Sequence, residues 1–208
     1  CDWSSDVCSS DLTTDVRDVI FQTNPSIFMS IIMKPGLDIS MIASSEAIQI
    51  KNESWNRDNI IKCFGHYFYN QIQDCDVLNV GTLAGKSEYI KDLCAALYQM
   101  SLNRADWVAD QAAYNVMMRW TQYMRKTYIA SLSDGWTCNL HVTNKPDQYA
   151  EFGPYLLEPR PTFENGVVLN RTKDPFCIVH QYDRVPEMKK YFEEKYSVND
   201  TLTFRTDV

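Results

Sequence analysis

Two carboxylates three residues apart, in Asp15-Val16-Arg17-Asp18, stand just before the apolar run Val19-Ile20-Phe21. Carboxylates at such an edge hold Mg2+ or Mn2+ through oxygen and leave coordination positions open for phosphate. The same spacing also suits a polar turn in which Asp18 pairs with Arg17 or caps the backbone. A second group, Asn79-Val80-Gly81-Thr82-Leu83-Ala84-Gly85, closes an apolar stretch with glycines four apart. Glycine lets backbone approach a ligand, and the Asn79 amide offers donors and an acceptor to sugar hydroxyls or phosphate. It is neither a Walker loop nor the dinucleotide fingerprint, and a plain strand-to-helix turn with Gly81 at positive φ accounts for it equally. A third group is Asp110-Gln111-Ala112-Ala113-Tyr114-Asn115. Asp110 reads as a helix N-cap, and Gln111 and Asn115, four apart, share a polar face able to line a pocket for sugar hydroxyls. The fourth is His180-Gln181-Tyr182-Asp183-Arg184, at the exit of the apolar run Phe176-Cys177-Ile178-Val179. The exits of buried strands are where α/β sheets place binding groups.

Two other pairings carry less. Cys177 and His180 are three apart on a strand and face opposite ways, which argues against a Cys–His nucleophile. Cys63-Phe64-Gly65-His66 offers two zinc ligands without a matching second pair.

The elements that must position these groups alternate between helical and strand patterns. Ser40–Ser44 and Asp76–Gly81 read as short buried strands. Ile60, Ile61, Phe64, Phe68 and Ile72 fall at helical spacing behind Asn56 and Asp58 as candidate caps, and Tyr89, Ile90, Leu93, Leu97 and Met100 form a second stripe. A third helix opens at Asp110 and buries Ala113, Val116, Met117, Trp120 and Met124. Asn165-Gly166 between two short apolar runs signals a type I′ hairpin. Pro186 starts a closing helix with Met188, Tyr191, Phe192 and Tyr196 on one side. The pattern is α/β, with no internal repeat.

Composition bounds the function. The 208 residues are 45% apolar and carry seven glycines, which excludes intrinsic disorder and collagen-like sequence. Lys+Arg 20 against Asp+Glu 27 gives −7, so no nucleic-acid partner is expected. The longest apolar run, around Ile27–Met33, is too short for a transmembrane segment. Residues 1–12, with Ser-Ser-Asp twice and no structural period, resemble translated sequencing adapter fused to a gene fragment. Setting them aside lowers the net charge to −4 and leaves Cys63, Cys75, Cys94, Cys138 and Cys177, an odd set expected to be reduced structural thiols. On this reading residues 13–208 are a partial domain. Its first strand, the one that should carry the carboxylates, is expected to be absent, and the stretch alone is expected to fold poorly and to be inactive.

The order of the four groups, together with the string Thr14-Asp15-Val16-Arg17-Asp18-Val19-Ile20-Phe21-Gln22, resembles metal-dependent glycosyltransferases of the GT-A fold, in the glycogenin-like and galactosyltransferase-like branch. The resemblance spans residues 14–184 and implies the C-terminal portion of a GT-A fold, a mixed sheet flanked by helices. It implies sugar transfer from a nucleotide-diphosphate donor to an acceptor hydroxyl with Mn2+ or Mg2+ as cofactor. Carried over by position, Asp18 and His180 match the metal ligands and Asp15 their companion. Asn79 and Gly81 match the donor-sugar loop, and Asp110 the acid that binds donor-sugar hydroxyls. Gln111 falls where retaining relatives place a group beneath the anomeric carbon, and Arg184 where a base holds the diphosphate. The usual Asp-x-Asp is here Asp-x-x-Asp. Two other classes compete: a noncatalytic carbohydrate- or nucleotide-binding domain, and a metal-dependent phosphate-ester hydrolase using Asp15, Asp18 and His180. The donor, the acceptor and the stereochemistry are not legible in the sequence.

Overall fold

The computed structural model describes residues 10–102, 104, 108–140 and 150–196. Most of the presumed adapter, residues 1–9, lies outside them. The described residues build two mixed sheets and a hairpin. The larger sheet has the order β1 (Asp11–Thr14), β4 (Asp76–Gly85), β3 (Met41–Gln49), β5 (Thr127–Ala130); only the β3–β5 pair is parallel. The smaller sheet sets β9 (Ile178–His180) between β2 (Val19–Phe21), antiparallel, and β6 (Thr137–Asn139), parallel. The fold is therefore mixed α/β.

The strand expected to be absent before Asp15 is present. Asp11 and Leu12, poor in strand propensity, pair with Gly85 and Ala84, because the β4 edge supplies the backbone partners that propensity does not.

Strand β3 is buried on both faces, which explains its unbroken burial from Met41 through Ile48. Met41 and Ala43 pack towards helices α3 (Ser87–Ser101) and α4 (Ala109–Met117), while Ile42 packs with Trp136 and helix α1 (Pro25–Ile32). The strand is also longer than the apolar run Ser40–Ser44 indicates, since Ser44, Ser45 and Glu46 continue it while buried.

Pairing between β3 and β4 slips twice. Between the pairs Ile42–Ala84 and Ser44–Asn79, β4 carries the extra residues; between Ser45–Leu78 and Gln49–Asp76, β3 does. The first bulge holds Val80 and Gly81, and the second turns through Ala47 at φ 54. Bulges re-aim side chains and interrupt the ladder. These two set Asn79 and Glu46 against each other.

Helix α2 (Ser54–Ile72) packs on α4 over Ile60, Cys63, Ile72, Ala112 and Val116. Its cap is Glu53, whose carboxylate accepts from the Trp55 and Asn56 backbone N–H groups, rather than Asn56 or Asp58. Gly65, at φ 82, kinks it. The hairpin β7 (Thr162–Glu164) and β8 (Val167–Leu169) turns at Asn165 (φ 50) and Gly166 (φ 78), both positive as a type I′ turn requires. It packs with the closing helix α6 (Pro186–Tyr196) through Phe163, Tyr191 and Phe192; a short helix α5 (Thr121–Met124) lies earlier in the chain. Among the described residues no helix is long and apolar enough to cross a membrane.

Candidate metal centre and adjoining cleft

Asp15, Asp18 and His180 converge because the chain changes sheets between the two acids. Asp15 extends the β1 pairing, its N–H donating to Gly81 O at 3.0 Å. Val16, 96% exposed, tips the turn. Asp18 then enters the smaller sheet, accepting at its carbonyl from the Gln181 N–H at 2.7 Å, and the register pairs Val19 with His180. The Asp-x-x-Asp spacing is the length of that crossover.

One ligand atom from each of Asp15, Asp18 and His180 lies within 4.8 Å of the other two. His180 Nε2 stands 3.1 Å from Asp15 Oδ2 and 3.7 Å from Asp18 Oδ1. Its Nδ1 lies 2.9 Å from Asn139 Oδ1, contributed by the neighbouring strand in register. An amide oxygen can only accept, so Nδ1 donates to it and holds the ring with Nε2 towards the two carboxylates. Two carboxylate oxygens and an imidazole nitrogen form a donor set able to hold a divalent cation. The hydrogen bond with His180 is the main influence holding the Asp15 carboxyl below the usual carboxylate range; partial burial opposes it, and the charges of His180 and Arg17 add to it. The Asp15 side chain is 59% exposed and that of His180 only 2%, so the site has an open side and a fixed one.

Beside these ligands opens a cleft of about 420 Å3. Its lining includes Asp15, Asn79, Gly81, Asp110, His180 and Arg184, with Glu46, Trp55 and Gln181. Residues from all four sequence groups therefore share one cavity. Gly81 is needed for closeness rather than for conformation. It is not among the positive-φ glycines, contrary to the turn reading. A Cβ there would stand 2.4 Å from His180 Cε1 and 2.8 Å from Nε2.

The Asn79 amide is committed within the bulges. Its Nδ2 donates to Glu46 Oε1 at 2.7 Å, and its Oδ1 accepts from Gly81 N–H at 2.8 Å. Burial, partly offset by that Asn79 bond and reinforced by the nearby Glu53 charge, pushes the Glu46 carboxyl up to about 7.

Asp110 is exposed in the first turn of α4; the N-cap is Val108. Gln111 and Asn115 do share a face, but that face is turned to strand β4. Strand β1 covers β4 only from Thr82 onward, leaving the earlier edge without a strand. Asn115 accepts from Leu78 N–H and donates to Leu78 O, Gln111 accepts from Val80 N–H and donates to Leu78 O, and Arg119 donates to Asp76 O. Side chains at four-residue spacing thus replace a missing strand. Gln111 Nε2 spends its other proton on Asn56 Oδ1, so it has no donor left for a ligand.

Sequence reasoning gave Trp55 and Asn139 no role, named Glu46 only as an unargued candidate base, and placed Gln181 in the fourth group without a role. Glu46 had a faint signal as the one charged residue between Ser40 and Ile50. Gln181, in the fourth group, stands at φ 61; a left-handed non-glycine residue directly after a metal-type ligand is the kind of strain that gathers at functional sites.

No protein-family model and no curated protein matches the sequence. Among solved structures, the chain is similar to mouse xyloside xylosyltransferase 1 in its apo form, at 12% identity and a TM-score of 0.46, over 83% of this chain and 57% of that one. The chain thus corresponds to little more than half of that structure's length.

Proposed function

We propose that the chain is part of a metal-dependent glycosyltransferase of GT-A type, which moves a sugar from a nucleoside-diphosphate donor to an acceptor hydroxyl. The observation that carries this reading is the convergence of Asp15, Asp18 and His180 beside a cleft that Asp15 and His180 line together with Asn79, Gly81, Asp110 and Arg184. Asp18 and His180, with Asp15 beside them, would hold Mn2+ or Mg2+, which when bound neutralises a departing diphosphate. Arg184, half exposed and lining the same cleft, adds a fixed cation for the diphosphate. Gly81 lets the donor approach the floor closely, and Asp110 accepts from sugar hydroxyls. Gln111 supports this site from behind, by fixing the backbone on which Asn79 and Gly81 sit.

The test is isothermal titration of the chain with uridine, guanosine and adenosine diphosphate hexoses, with and without Mn2+, followed by product analysis. Mn2+-dependent binding with transfer to an added sugar acceptor supports the proposal. Acceptor-independent release of phosphate or free sugar would indicate a hydrolase. Binding without any turnover would indicate a binding module.

A further inference from the structure

Strand β3 is strained beside one buried acid. Ala47, buried and not a glycine, stands at φ 54. The bulge is braced around it. The Ala47 N–H donates to Ser45 Oγ at 2.9 Å, Ser45 Oγ donates to Asp76 Oδ2 at 2.8 Å, and the Ala47 carbonyl accepts from the Leu157 N–H at 2.7 Å. Strained non-glycine backbone persists only where its surroundings hold it, and it collects at functional positions. The side chain that this bulge places is Glu46, 5% exposed. Burying a carboxyl group is costly, and packing alone would favour an apolar residue there. Among the described residues its one hydrogen-bond partner is Asn79, at 2.7 Å.

From Glu46 a chain of contacts reaches two of the three metal-type residues. The two ends of the Asn79 amide are matched to their partners: Nδ2 donates to Glu46, and Oδ1 accepts from the Gly81 N–H at 2.8 Å. The Gly81 carbonyl in turn accepts from the Asp15 N–H at 3.0 Å. Gly81 also packs against the His180 ring, since the point where its Cβ would stand is 2.8 Å from Nε2 and 2.9 Å from Asn79 Oδ1. The ladder is interrupted at this bulge, so side chains hold its N–H groups, Gln111 that of Val80 and Asn79 that of Gly81. Resting on the metal-dependent reading above, we infer that Glu46 is a positioning residue for the metal centre, which fixes Asp15 and His180 through Asn79 and Gly81. With an apolar residue at 46, Asn79 Nδ2 would lose its acceptor. The amide could then turn away from Gly81, and the backbone that holds Asp15 and backs the His180 ring would shift. The link is the same for a charged and a neutral carboxyl, because an acceptor oxygen remains in both.

Mn2+ titration by electron paramagnetic resonance, with the His180 ring followed by proton–nitrogen NMR correlation in metal-free protein, tests this. Glu46→Leu, which fills the space without an acceptor, is expected to weaken Mn2+ binding about tenfold, the lower end of what loss of an outer support costs a metal site. It is also expected to shift the His180 ring signals before any metal is added. Glu46→Gln, whose amide oxygen can accept from Asn79, is expected to restore both, which separates positioning from charge and from bulk stability. Asn79→Ala cuts the same chain at its next link, so its loss and that of Glu46→Leu should not add in the double variant. Glu46→Met takes the place of Glu46→Leu if the latter does not fold. Wild-type Mn2+ affinity in a folded Glu46→Leu protein would overturn the inference, as would Glu46→Gln proving equally damaging or the two losses adding in full. A wild-type protein that binds no Mn2+ would refute the metal reading instead, and the His180 signals alone would then decide whether Glu46 positions that ring.

Discussion

Gly81→Ala isolates the coupling between the bulge in β4 and the metal ligands. The new methyl would stand 2.4 Å from His180 Cε1, about 1 Å short of the 3.4 Å at which ordinary contact begins, and 2.9 Å from Asn79 Oδ1. His180 has little room to yield. It is 1% exposed, its strand is paired on both sides, and Asn139 holds Nδ1. Overpacking of this kind costs about 1–3 kcal/mol, so the apo protein should lose that much stability. The metal loses more in relative terms. A ring displaced by about 1 Å carries Nε2 well outside the ±0.2 Å or so that coordination distances tolerate. Mn2+ affinity should therefore fall by about 10–100-fold, as it does when a ligand's positioning is lost. The assay is Mn2+ titration by electron paramagnetic resonance alongside thermal unfolding. Gly166→Ala serves as the control: its methyl would stand 1.9 Å from the Tyr191 hydroxyl at a residue with φ 78, so it should lower stability and leave Mn2+ affinity alone. Wild-type Mn2+ affinity in a folded Gly81→Ala protein would refute the argument that His180 binds metal through this geometry.

Asp18→Asn should abolish measurable Mn2+ binding while leaving the fold intact, because the Asp18 main-chain carbonyl, which pairs with Gln181, is untouched; equilibrium dialysis and circular dichroism check the two halves. Glu46, with a folded-state pKa raised from 4.5 to about 7, favours the folded protein fully below pH 4.5, and that contribution is lost as pH rises through 7. The loss is on the order of 3 kcal/mol, so urea midpoints for the wild type should fall across this window more steeply than those for Glu46→Gln; parallel slopes would exclude the buried-acid account. Asn115→Ala removes the partners of Leu78 N–H and weakens those of Leu78 O, and should cost about 2–4 kcal/mol in urea unfolding. A loss below 0.5 kcal/mol, about the level of a surface substitution, would mean that water serves the β4 edge equally well.

The sequence by itself determined the local elements and their order. Asn165-Gly166 dictated its turn because only residues tolerant of positive φ suit a type I′ hairpin. The stripes at Ile90, Leu93 and Leu97 and at Met188 and Phe192 were core faces before any partner was known, since periodicity alone fixes which side of a helix is buried. The closeness of Asp18 to His180 was also legible in outline, as both stand at strand ends. Tertiary structure alone decided the rest. Leu12 became strand because β4 offered an edge, against its local context. Gln111 and Asn115 have the same spacing whether they face a sugar or a strand; only the uncovered edge of β4 made them substitutes for a backbone. The need for glycine at position 81 came from a ring 99 residues away in the chain, and Glu46 entered the cleft through a register slip that no periodicity announces. Local pattern encodes which faces are apolar, whereas what a polar side chain meets depends on which distant backbone is left without a partner.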